Sequence, residues 1–80
     1  MKANVYVTLK KGVLDPQGKA VVGALKSFSF SGVKELRIGK FIEIDMDGSD
    51  KAKAEAEVKK MCEVLLANTV IEDYKVEIKD

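Results

Sequence analysis

An imidazole is the side chain most often used as a general base and as a metal ligand, and this sequence contains none. Its single thiol, Cys62, therefore has no imidazole to activate it. Cys62 also falls in a helical apolar pattern with Val58, Leu65 and Leu66, where a free cysteine reads as a small buried hydrophobe rather than a nucleophile. Asp45, Asp47 and Asp50 crowd three carboxylates together. Their spacing lacks the third early acid and the distal glutamate of a calcium loop, whereas Asp, Gly and Ser are the ordinary material of turns and helix caps. Gly12, Gly18 and Gly23 form neither GxGxxG nor a phosphate loop ending in lysine and serine. The expectation is a chain with no catalytic residues, no metal site and no cofactor of its own. An enzyme using Asp15 or Lys40 unaided is the weakest reading of these residues.

Two charges stand out. Arg37 and Lys40 flank Gly39 inside a strand-like stretch, with Arg37 on its polar phase and Lys40 breaking its apolar phase. Solvated charges guarding a strand edge would look like this, and so would the anchors of a docked partner, because edges favour lysine and interfaces favour arginine.

The 14 basic and 13 acidic side chains give a formal net charge of +1, which provides no long-range field for nucleic acid or an anionic membrane surface. No apolar run approaches the ~20 residues of a membrane span. With an unpaired cysteine in an apolar pattern and no signal-peptide pattern before the first strand, the expected location is the cytoplasm. The chain, residues 1–80, is expected to be one domain. A domain of this size buries only about 60% of the surface its unfolded chain exposes, and neither a disulfide nor a histidine-bound metal can reinforce it, so a homo-oligomer, dimer or tetramer, is expected.

The elements that must position these residues turn on the stretch Gly12 to Ala20. Asp15 suits an N-cap and Pro16 the first helical position, so a helix is predicted from Pro16 to about Phe28. Ala20, Val21, Ala24, Leu25 and Phe28 share one face of it, expected to lie on a sheet. Gly18 and Gly23 each cost about 1 kcal/mol of helix propensity, which points to close backbone approach. Before this helix, Val5, Val7 and Leu9 alternate with Tyr6, Thr8 and Lys10, a half-buried strand over residues 3–10.

From Val33 to Met46 the apolar residues Leu36, Ile38, Ile42, Ile44 and Met46 keep one strand phase, predicting one long bent strand; a hairpin at Gly39-Lys40 is the alternative. Ser49 or Asp50 then caps a second helix whose stripe is Ala54, Val58, Met61, Cys62, Leu65 and Leu66, with Asn68 as its left-handed C-terminal residue. Val70 to Ile78 forms the last strand. The order β-α-β-α-β predicts an α/β (α+β) sandwich with both helices on one face of a small sheet, and the hairpin would make it βαββαβ, ferredoxin-like. The uncovered face and the open edges would fall to the oligomer.

Gly12-Val13-Leu14-Asp15-Pro16-Gln17-Gly18, read with Val5 to Lys10 before it, resembles the N-terminal signature of the PurS family, the small subunit of phosphoribosylformylglycinamidine synthase. Arg37-Ile38-Gly39-Lys40 resembles the family's central strand, and Met61 to Tyr74 its last helix and strand, in order and at matching spacing. The resemblance implies a non-catalytic subunit in purine biosynthesis. Its partners would be a glutaminase subunit and a large ATP-dependent synthetase subunit, which this chain would help to join so that ammonia passes between them. It also tips Arg37 and Lys40 towards partner contact and, with Asp15 and Gln17 of the signature, makes these four the candidate partner-contacting residues. A free-standing ferredoxin-like module binding a small ligand is the competing reading.

Overall fold

The computed structural model describes residues 1–79. Three antiparallel strands form one sheet: β1 (Lys2–Leu9) in the centre, β2 (Lys40–Asp45) on one edge and β3 (Glu72–Lys79) on the other. Val5 pairs with Ile42 on one side and Val76 on the other, and Val7 with Lys40 and Tyr74. Alternation along β1 sends Ala3, Val5 and Val7 to one face, where all three are fully buried. The opposite face is polar apart from Tyr6 and Phe41, whose rings meet at 5.1 Å.

The second helix, α2 (Lys51–Met61), covers the apolar face. It starts where Asp50 accepts the Lys53 backbone N–H at 3.1 Å, so of the two capping candidates Asp50 serves. Val58 and Cys62 pack on Ala3, Val5 and Val7, and Ile42, Ile44, Val76 and Ile78 close the sides of this core. Buried positions along the helix run Ala54, Val58, Cys62 and then Ala67. The last step is five residues because Cys62–Leu66 is a turn of π-helix, sealed by the Ala67 N–H donating to the Cys62 carbonyl at 3.0 Å. Leu65, assigned to the apolar stripe by a period of 3.6, is consequently turned outward and is 81% exposed. Asn68 does not adopt the left-handed conformation expected of it. Its side chain instead accepts the Val70 N–H at 3.2 Å, and its own N–H donates to Glu72 at 2.7 Å, which turns the chain into β3.

The first helix, α1 (Pro16–Ser27), begins as the sequence dictates, with Asp15 accepting the Gly18 N–H at 2.9 Å and Pro16 in the first turn. It ends in a left-handed Ser29 (φ 74°), where the Phe30 N–H reaches the Leu25 carbonyl and the Ser29 N–H the Lys26 carbonyl. Its expected place on the sheet is not what is observed. Gly18 is its sole buried residue, and the stripe of Ala20, Val21, Ala24, Leu25 and Phe28 is open or half-covered, with Phe28 73% exposed. The helix projects beyond the sheet, which gives the chain a length of 49 Å and a radius of gyration of 16.0 Å, against about 12 Å for a compact domain of this size. Periodicity shows that a face exists to be covered; it does not show what covers it.

The long bent strand is also corrected, and the hairpin with it. Strand pairing starts only at Lys40, and residues 33–39 have no regular secondary structure. At Gly39 the chain passes so close to β1 that an added Cβ would strike the Val7 carbonyl oxygen and the Thr8 methyl. The residues before it lie away from β1, towards α1, with the Leu36 carbonyl against Gly18. Lys40 breaks the apolar phase because it is the strand's first residue, at the open end of the core.

Candidate functional site

The divergence of residues 33–39 from β1 opens a cleft of about 620 Å³ between three segments: the end of β1 with the turn that follows it, the first two turns of α1, and residues 34–37. Asp15 holds the cleft together. One carboxylate oxygen accepts the Gly18 N–H and the other the Ile38 N–H at 3.1 Å, so the cap of α1 is also the tie to the segment leading into β2. These two bonds, Gly18 first, hold the Asp15 carboxyl below its ordinary range against a small opposing effect of burial, and the Gln17 N–H and the Arg37 charge add to the lowering. Gly18 is required here, since a Cβ would lie 2.5 Å from the Leu36 carbonyl oxygen.

Leu9, Val13, Val22 and Leu36 form an apolar floor to the cleft, and Lys10, Lys11, Lys19, Lys34 and Arg37 surround it, with Asp15 and Glu35 as the acids. Of the four residues singled out from the sequence, the structure brings Asp15 and Arg37 together at this cleft. Gln17 is exposed beside them on the first turn of α1, and Lys40 lies apart, reaching Glu72 of β3 at 4.0 Å. The lysines of the cleft escaped the sequence reading because they are spread over three segments; the Lys10-Lys11 doublet before Gly12 was the one local signal.

A second surface lies at the far end of α2, where Ile44, Met61, Val64, Leu65 and Leu66 line an apolar groove of about 440 Å³. Val64 is 75% exposed there. The π-turn beneath it is fixed to β3 by the Tyr74 hydroxyl donating to Glu63 at 2.9 Å, and that carboxylate pushes the Tyr74 phenol up. Inside the turn, Cys62 has no exposed surface, and burial, followed by the Glu63 charge, raises its thiol. A raised, inaccessible thiol is neither nucleophile nor metal ligand.

The PurS family model, described as phosphoribosylformylglycinamidine (FGAM) synthase, matches residues 2–80. The chain belongs to the PurS family. It is 52% identical over 79 residues to the phosphoribosylformylglycinamidine synthase subunit PurS of Bacillus subtilis, covering 99% of this chain and 93% of that one. With the PurS subunit of Methanocaldococcus jannaschii it shares 45% identity over 98% of this chain and 94% of that one. Among solved structures, PurS from Bacillus subtilis superimposes with a TM-score of 0.88 over 99% of this chain and 98% of that one. A chain of the structure of PurLQS from Thermotoga maritima does so with a TM-score of 0.87, at 38% identity, over 95% of this chain and 93% of that one. Both superpositions span the projecting helix α1 as well as the sheet. Among the described residues no helix is long and apolar enough to cross a membrane.

Proposed function

We propose that this chain is the joining subunit of phosphoribosylformylglycinamidine synthase, a cytoplasmic homo-oligomer that holds a glutaminase subunit against the ATP-dependent synthetase subunit so that ammonia passes between them. The observation that carries this reading is the end-to-end similarity to PurS subunits, including a chain of PurLQS. As a PurS-family chain it is a subunit of FGAM synthase in purine biosynthesis.

The physical chemistry of the molecule supports a joining role. It has no histidine, and its thiol is buried and held protonated, so the reaction belongs to the partners. What it offers instead is binding surface: the open stripe of α1, the apolar groove at Val64 and Leu65, and the charged rim around Arg37. A helix face left open within one chain is covered naturally by a second copy, and an assembly with several faces can hold two larger proteins in register. Asp15, Gln17, Arg37 and Lys40 are the residues proposed to meet the partners.

Omitting the chain from a reconstituted mixture of glutaminase and synthetase tests the role. Amidation of formylglycinamide ribonucleotide driven by glutamine should collapse, while amidation driven by excess ammonium salt should persist, because free ammonia needs no coupling. Glutamine-driven activity that is unchanged without this chain would overturn the proposal.

A further inference from the structure

We propose that the cleft at the base of α1 is a binding site for a phosphorylated small molecule with an apolar body, of which a nucleoside phosphate is the test case. This goes beyond the joining role and is independent of it, although Arg37 stands on the rim of the cleft as well as among the proposed partner contacts.

The chain as a whole is close to neutral, with a formal net charge of +1, yet five of its 14 basic side chains gather around one concavity. None of the five, Lys10, Lys11, Lys19, Lys34 and Arg37, makes an ion pair within 4.0 Å among the described residues. Elsewhere in the molecule Lys40, Lys59 and Lys79 do find carboxylates. Asp15 and Glu35 offset part of this charge, Asp15 interacting electrostatically with Arg37, but five cations against two carboxylates leave the cleft net positive. A concave surface with an excess of one sign of charge focuses its field and concentrates counter-ions, and mobile lysine ammonium groups are suited to a phosphate as point charges.

Charge alone would describe an anion-attracting surface. The floor adds the second half of a site. Leu9, Val13, Val22 and Leu36 are all half-buried beneath the cations, so a ligand body lying there would remove apolar surface from water on both sides. Gly12, in the left-handed conformation at φ 86°, has nothing within 4 Å of where a Cβ would stand, so the turn bordering the floor leaves room above its backbone. The volume of about 620 Å³ lies within the roughly 300–1,000 Å³ of small-ligand sites. Several phosphates on a small apolar body match an apolar floor with a cationic surround, and neither half alone accounts for both.

The test is calorimetric titration of the isolated full-length protein with ADP, with adenosine and with pyrophosphate, at low ionic strength. ADP should bind saturably with a Kd of about 1 mM or tighter. Adenosine should give no saturable binding, and pyrophosphate should bind more weakly than ADP. The double variant Lys10→Gln with Lys19→Gln should weaken ADP by about tenfold or more, the size expected from removing charge-assisted contacts, while Lys53→Gln, on the outer side of α2, should leave it unchanged. Circular dichroism confirms that the variants fold; all three positions are solvent-facing or half-buried lysines outside the core. Absence of saturable ADP binding, equal binding to the double variant, or pyrophosphate binding as tightly as ADP would each overturn the proposal. Because no partner subunit is present, failure here leaves the joining role standing, and failure of the omission experiment leaves this site standing.

Discussion

The Asp15 carboxylate accepts the Ile38 backbone N–H at 3.1 Å across 23 positions of sequence, while its other oxygen caps α1 through Gly18. One side chain thus fixes where the helix begins and where the segment before β2 lies. Its folded pKa is below the ordinary 3.8, so the stability it contributes is complete above the titration of the unfolded carboxyl and is lost as pH falls through the lower folded value. Thermal unfolding followed from pH 6 to pH 2 should show an acid loss in the parent that is smaller in Asp15→Asn. Identical pH profiles for the two proteins would mean that the carboxylate has no such role.

Gly39 and Gly23 should respond to alanine with opposite signs. At Gly39 a Cβ meets the Val7 carbonyl and lies 2.9 Å from the Thr8 methyl, so backbone must shift, at a cost of about 1–3 kcal/mol. At Gly23 nothing lies within 4 Å, and alanine should stabilise α1 by about 1 kcal/mol. Urea midpoints of the two variants measure both. A destabilised Gly23→Ala would mean that this helix face is closely packed in the assembled protein.

Cys62→Ser should lower stability by about 1–3 kcal/mol, because a hydroxyl replaces a fully buried thiol in an apolar core. Glutamine-driven synthase activity reconstituted with the variant should remain. In the parent, a thiol reagent should react with Cys62 only upon unfolding.

The sequence made the element order, the Asp15 cap, the start of the second helix at Ser49 or Asp50 and the burial of β1 and Cys62 legible, because each rests on local chemistry: alternation, a capping oxygen, a proline at the first helical turn. The position of α1 and the outward turn of Leu65 were not legible. Both depend on long-range or non-standard geometry, a clasp between Asp15 and Ile38 in one case and a five-residue helical turn in the other. The cleft was half legible, with Asp15 and Arg37 singled out and its lysines hidden by their dispersal over three segments.

Arg37→Glu reverses an exposed charge on the cleft rim and disturbs no core. If Arg37 anchors a partner, glutamine-driven amidation in the reconstituted complex should fall by more than tenfold, corresponding to about 2 kcal/mol, while ammonia-driven amidation stays near the parent rate. Equal loss of both rates would place Arg37 in the synthetase reaction, and loss of neither would remove it from the docking surface. Sizing and circular dichroism of the variant accompany the assay.

Light scattering at micromolar concentration should give a mass that is a multiple of 8.8 kDa, since the open α1 stripe and the Val64–Leu65 groove leave too much apolar surface for a lone chain. Leu65→Glu, at an exposed position, should leave the fold of the single chain intact and shift that mass downward. A stable monomer in the parent would sink the oligomer.

The π-turn acts as a phase shifter between two uses of one helix. Up to Cys62 the buried residues serve the chain's own core; the single extra residue in the next turn re-aims those that follow, delivering Ala67 inward and Leu65 outward beside the exposed Val64. Deleting one residue there would restore the period of 3.6, swing Leu65 back towards the sheet, and convert exposed apolar surface into additional interior. A helical irregularity one residue long thus decides which way the chain faces Leu65.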